Sequence, residues 1–248
     1  MRMLSLILMV CFAVGSASAA LVTQYEFEGN ADDSIGSNDG TFVNGASTVF
    51  DAGRGSQVLT LDGTDDYVNV GDQDSLNFGA TNSFSISAWF KTSQDSTNIW
   101  LPIVEKRRWV ADSGYGYYKE GYSFGIYQNK LYFGIEDATN HGTGISGNSI
   151  VNDGLWHRVS AVRDTAEDKV YLYLDGFSDA NPVTDATAGS LATTAEFQIG
   201  KRKAAMPGVD YFYFDGQIDD VEIYNHAIPE PCTIALLSLG IVGLVRRR

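Results

Sequence analysis

Only two cysteines occur in the 248 residues, Cys11 and Cys232, and both lie in apolar runs at the ends of the chain. The segment between them is therefore not a disulfide-stapled scaffold. Its length makes that tolerable, because a chain of this size can bury an adequate core. Histidine is also scarce: His141, His157 and His226 are scattered, without the spacing of metal ligands. No G-x-S-x-G occurs, which removes the usual serine-nucleophile elbow. No stretch of ten or more residues between the two ends has the apolar periodicity of an amphipathic helix. Basic residues are few. Arg2 and the three terminal arginines account for four of the 17, so the segment between the apolar ends carries 13 basic against 31 acidic residues, a net charge of −18. That balance excludes nucleic acid and anionic membrane as partners of this segment. It is compatible with solubility outside a cell and with calcium.

The two ends carry what the middle lacks. Arg2 followed by the apolar Met3 to Gly15 and by Ala17-Ser18-Ala19 has the layout of a secretory signal peptide cleaved after Ala19. At the other end, Cys232 to Val245 is a fourteen-residue apolar run followed by Arg246-Arg247-Arg248. As a helix it spans about 21 Å, short of a hydrocarbon core about 30 Å thick. The arginines favour the cytoplasmic side. With Pro229-Glu230-Pro231 in front, this tail resembles the PEP-CTERM sorting signal of Gram-negative bacteria. Cys232 departs slightly from that pattern, which more usually has Ser or Thr there. The resemblance implies transient membrane association and processing by an exosortase-type enzyme. The expected destination is the cell surface or an extracellular polysaccharide matrix.

Between the signals, residues 20–228 read as one all-β domain, with no linker or change of composition. Phe84, Ile86, Ala88 and Phe90 fall on one face of an alternating run, and Val170, Leu172 and Leu174 alternate with Lys169, Tyr171 and Tyr173. Asp153 to Gly176 reads as a hairpin that needs a larger sheet around it. Gly29 to Gly40 is a long Gly/Asp/Asn/Ser loop. Asp62 to Asp66, between two short apolar runs, has hairpin character. Strands rich in Tyr, Phe, Val and Ile between Gly/Asp turns point to a sandwich or jelly roll.

Seven segments in order carry a family resemblance: YEFEGNADDSIGSNDG (25–40), LDGTDDYVNVG (61–71), FSISAWFK (84–91), DGLWHRVSAVRD (153–164), VYLYLDG (170–176), FQIGKR (197–202) and FDGQIDDVEIYNHAI (214–228). Together they resemble the laminin-G-like, concanavalin A-like jelly roll of bacterial secreted proteins. The resemblance implies two packed antiparallel sheets with the first and last strands adjacent. It does not imply a function, since this fold hosts lectins, adhesion modules and hydrolases. The E-x-D-x-E motif of the β-glucanases in this fold is missing, which argues against an enzyme. Asp220 and Glu222, sharing one strand face, are the remaining carboxylate pair.

Two constellations can carry binding. Glu105 to Gly121 interleaves Lys106, Arg107 and Arg108 with Trp109, Tyr115, Tyr117 and Tyr118, and its glycines and charges suggest a long loop. Its aromatics offer faces for sugar rings, and its cations suit an acidic polysaccharide. Tyr171 and Tyr173 are a lesser aromatic pair. The second constellation is acidic: Asp33 and Asp219, brought together if the first and last strands are neighbours, are candidates for a structural calcium site. The expected role is a secreted, non-catalytic binding or adhesion module for an extracellular polysaccharide or glycan. A matrix protein without a discrete ligand is the alternative, and a carbohydrate-active enzyme is a more distant one.

Overall fold

The alternation from Phe84 to Phe90 marks the centre of the molecule. In the computed structural model, which describes residues 20–112, 116–203 and 211–228, Phe84, Ile86, Ala88 and Phe90 are all fully buried. Side chains are described throughout those ranges except at 110–112 and 116–118. The expected leader, Tyr115 and the tail with Pro229, Glu230 and Pro231 lie outside the described residues. No helix among the described residues is long and apolar enough to cross a membrane.

The chain opens with β1 (Leu21–Tyr25), β2 (Thr41–Val43), β3 (Ser47–Asp51), β4 (Ser56–Asp62) and β5 (Tyr67–Gly71). A single 3₁₀ turn at Asp74–Leu76 precedes β6 (Phe84–Lys91), β7 (Trp100–Asp112), β8 (Gly116–Tyr127) and β9 (Lys130–Glu136). Next come β10 (Gly142–Ser146), β11 (His157–Asp164), β12 (Lys169–Leu174), β13 (Phe177–Ser178) and β14 (Val183–Thr184). The last are β15 (Phe197–Ile199), β16 (Lys201–Lys203), β17 (Tyr211–Tyr213) and β18 (Asp215–Tyr224).

Two antiparallel sheets form a sandwich. One has nine strands, ordered β13-β12-β11-β6-β18-β4-β3, with β1 on β18 and β14 on β12. The other has seven, ordered β10-β9-β8-β7-β15-β5-β2. The expected all-β jelly roll is therefore what the sequence forms. The first and last strands are adjacent, with Gln24 opposite Glu222 and Tyr25 opposite Val221. The Asp153–Gly176 hairpin is present as β11 paired with β12, and β6 closes its other side.

Aromatic rings fill the space between the sheets. Phe84 stacks on Phe78 at 4.1 Å between centroids and meets Tyr122 at 5.2 Å and Phe133 at 6.0 Å. Each such ring contributes about 1.5–3 kcal/mol on burial, and the offset and edge contacts add to it. Polar satisfaction matters equally. Arg163 on β11 is buried, yet its guanidinium donates to Asp185 at 2.6 Å, to the carbonyls of Gly79, Asn82 and Ala80, and to the Thr187 hydroxyl.

Two local expectations are corrected. Asp62 to Asp66 is not a hairpin turn: β4 pairs with β18 and β3 in one sheet, whereas β5 pairs with β15 and β2 in the other. The loop is a crossover between sheets. Asp66 fixes it by accepting from the Gly45 and Asp62 N–H groups, and the Gly63 N–H is turned to the Phe214 carbonyl. Glu105 to Gly121 is not a long loop either. It is most of a two-stranded ribbon, β7 against β8, paired continuously from Arg107 opposite Gly121 to Asp112 opposite Gly116. Charges that look like loop composition alternate across the two faces of that ribbon. Gly121, at φ 113°, supplies a backbone conformation that a side chain would resist.

Candidate functional site

The β7–β8 ribbon sorts the basic residues that the sequence groups together. Lys106 points inward, fully buried, and its ammonium donates to Asp72 at 2.7 Å and to the carbonyls of Thr193 and Ala195. Arg108 pairs with Glu120, its Nε donating at 2.6 Å. Arg107 belongs to the outer face, together with Glu105 and Trp109, by strict alternation. Tyr117 and Tyr118 lie on β8, but their side chains are outside the described residues, as is Tyr115 altogether.

The pairing register extends this outer face across four strands. Arg107 lies opposite Gly121, which lies opposite Glu136, which lies opposite Gly142. In the next row Glu105 lies opposite Ser123, Ser123 opposite Gly134, and Gly134 opposite Gly144. The glycines leave the floor of the face bare, so the side chains between them stand around a cleft of about 210 Å³. Trp100, Arg107, Lys119, Tyr132, Glu136 and Arg202 are its principal walls. A side chain at Gly144 would overlap the Tyr132 hydroxyl, so that glycine is what lets the tyrosine lie across the floor.

Aromatic and cationic groups are interlocked here. Trp100 stacks on Tyr127 at 4.8 Å and receives the edge of Tyr132 at the same separation, with planes at 88°. Arg202, from β16, lies 3.7 Å over the Trp100 ring and donates to the Ser123 hydroxyl at 3.0 Å. Arg107 donates to the Gly134 carbonyl at 2.9 Å, and Lys119 sits 5.1 Å over the Trp109 ring. The carboxylates stay at longer range. Glu136 is 3.8 Å from both Arg107 and Lys119, and Glu105 is 3.9 Å from Arg202. Burial pulls the pKa of Lys119 and of Arg202 down, with Glu136 and Glu105 respectively opposing it.

Polar groups at this face are also under-used. Nine buried side-chain polar atoms have no hydrogen-bond partner among the described residues, and five lie here: both oxygens of Glu105, Arg107 Nε, Trp109 Nε1 and Glu136 Oε2. Buried polar atoms are ordinarily paired, so five unpaired ones on one face are unusual. Arg107 and Trp109 of this face stand out in the sequence by residue type. Trp100, Lys119, Tyr132 and Arg202 do not, because register and the β16–β17 hairpin bring them in. The alternation Glu105, Arg107, Trp109 and the repeated glycines at 142 and 144 were the available signals.

Each acidic candidate is already engaged by donors of the protein. Asp33 accepts from the backbone N–H groups of Gln24, Ile35 and Asn38. Burial pushes its carboxyl up, but these donors prevail and hold it below the usual range. Asp219 accepts from Arg54 at 2.7 Å, and that guanidinium lies 4.2 Å over Trp89 and also holds Asp220. Burial drives the Asp219 carboxyl up to about 6 against the pull of Arg54, with Asp220 adding to the rise. A β-bulge separates Asp219 from Glu222, with Asp220 at φ 45°, and beyond it Asp220 and Glu222 both stay partly exposed on either side of the buried Val221. The described carboxylates that do converge are Asp62, Asp65 and Asp66, in the crossover loop. His157 is a packing residue, set between Asp175 at 2.9 Å and Asp153 at 3.1 Å and tilted on Phe90. Tyr171 and Tyr173 line a second cleft with Asp164 and Glu167.

Residues 62–231 match the family described as the concanavalin A-like lectin/glucanases superfamily. The chain belongs to that family. No curated protein matches it. Several solved structures share its fold at low identity. The binding domain of Paraclostridial Mosquitocidal Protein 1 is 16% identical with a TM-score of 0.65, over 85% of this chain and 50% of that one. The botulinum neurotoxin serotype G binding domain is 13% identical with a TM-score of 0.61, over 89% and 51%. Domain 4 of AbnA, a GH43 extracellular arabinanase from Geobacillus stearothermophilus, in complex with arabinotriose, is 16% identical with a TM-score of 0.57, over 86% and 95%. The chain thus spans about half the length of the two toxin structures and nearly all of the arabinanase domain.

Proposed function

We propose that this member of the superfamily is a secreted, non-catalytic module that binds an extracellular polysaccharide or glycan in the cleft of its seven-stranded sheet. The observation that carries the reading is the glycine-floored cleft where Trp100 and Tyr132 stand beside Arg107 Nε and Glu136 Oε2, two buried polar atoms with no hydrogen-bond partner. Sugar recognition asks for both: aromatic faces for the apolar side of the ring, and fixed polar groups for its hydroxyls. Two kinds of similar structure support it, namely toxin binding domains and an arabinanase domain solved with arabinotriose. Delivery to a Gram-negative cell surface or matrix, through exosortase processing at Pro229-Glu230-Pro231 and transient membrane association of the tail, completes the reading. A structural calcium at Asp33 and Asp219 is a separate proposal. To bind there, the ion must displace backbone N–H groups from one carboxylate and Arg54 from the other.

The test is a glycan-binding screen of the protein, followed by Trp100→Ala and Tyr132→Ala against the best ligand. Each is expected to weaken binding about 5- to 150-fold, since losing one aromatic partner costs about 1–3 kcal/mol. Binding unchanged in both variants removes the cleft as the site. No saturable binding to any glycan favours a matrix protein without a discrete ligand.

A further inference from the structure

We propose that the group entering this cleft is negatively charged, the carboxylate of a uronic acid unit in a polysaccharide; this rests on the glycan-binding reading above. Among the described residues, the face gathers three cations, Arg107, Lys119 and Arg202, around two carboxylates, Glu105 and Glu136. One positive charge is in excess. That excess stands in a chain whose formal net charge is −14. The other two described clefts differ. One is lined by Asp164 and Glu167 with no cation, and the other balances Lys91 against Asp215.

The excess is also unneutralised in geometry. At 3.8–3.9 Å the carboxylates interact with the cations through space, without a hydrogen bond, and Arg107 Nε has no acceptor. Arg107 and Arg202 are buried, so their charge is poorly solvated, and Lys119 is partly buried beside them. Buried charge is costly unless an opposite charge reaches it. A carboxylate in the cleft supplies that partner, and the planar guanidinium fork suits its two oxygens. Glu136, which lines the cleft, remains as an acceptor for a hydroxyl of the same sugar ring. A neutral sugar would use the aromatic walls but leave the excess cation uncompensated.

The experiment measures binding of the intact protein to polygalacturonate, alginate and hyaluronate. Each is compared with its own carboxyl-reduced, neutral counterpart, and dextran sulfate serves as an anion of different geometry. The expected result is that at least one uronate polymer binds about tenfold or more tighter than its reduced form, the size of a charge-assisted contact. Lys119→Gln is expected to lose a similar factor and Lys119→Arg to restore it, at unchanged melting temperature. Equal binding to native and reduced polymers overturns the charge inference and leaves the glycan module standing. Dextran sulfate binding better than every uronate overturns the carboxylate assignment. Failure to bind any polymer of either series, together with a blank neutral-glycan screen, takes down both readings.

Discussion

His157 shows how a residue that looks chemical in the sequence becomes structural in the fold. It stands between Asp153 and Asp175 with its ring against Phe90. Burial lowers its pKa, but the hydrogen bonds to Asp175 and Asp153 outweigh burial and the net shift is upward. The sign follows directly. A pKa raised above its ordinary value of about 6.5 means that the folded state favours the imidazolium. Its stabilisation is therefore fully present below that ordinary value and fades as pH rises through the folded one. In urea unfolding, the stability gap between the native protein and His157→Gln should be widest near pH 5 and narrow towards pH 8; a gap independent of pH would refute the assignment. At this scale the sequence was partly legible. Arg107 and Trp109 stood out by residue type, whereas Lys106 looked equivalent to Arg107 although one faces the core and the other the cleft. A one-residue offset decides that, and only strand register sets the offset.

Elements were legible where alternation was clean. β6 and β12 announce themselves, because each presents one apolar face. The β7–β8 ribbon did not, since its stability rests on a ladder that alternating charges and glycines disguise. The Asp62–Asp66 crossover was misread for a related reason: a D-G turn reports a sharp bend, not which sheet each arm joins. One side chain then ties irregular segments to the regular frame. Arg163 on β11 holds the carbonyls of Gly79, Ala80 and Asn82 and, through Asp185 and Thr187, the stretch after β14. Arg163→Met keeps the bulk but strands Asp185 as a buried, uncompensated carboxylate. It should cost about 3–5 kcal/mol in denaturant unfolding. The double variant Arg163→Met/Asp185→Leu should recover part of that loss; a double variant less stable than the single one would contradict the account.

At the scale of the whole molecule, the pattern of strands and turns was enough for the sandwich, and the order of the seven segments was enough for its family. The cleft was not, because its walls come from β7, β8, β9 and the β16–β17 hairpin and meet only after folding. The calcium proposal also belongs here, since a structural ion would stabilise the fold as a unit. If Asp33 and Asp219 hold one, millimolar calcium should raise the melting midpoint of the native protein, and Asp33→Asn should abolish the rise. A midpoint that neither calcium nor chelator moves ends that proposal. The last strand carries one more consequence. β18 is gripped by β6 along one edge, and along the other by β4 and then β1. Its final residue, Tyr224, lies a few positions from the point where the chain leaves towards its tail. A pull along β18 from its C-terminal end would load a strand held on both sides. Hydrogen bonds in that arrangement shear together instead of unzipping singly, so if the tail anchors the domain as proposed, the attachment runs through a mechanically resistant strand.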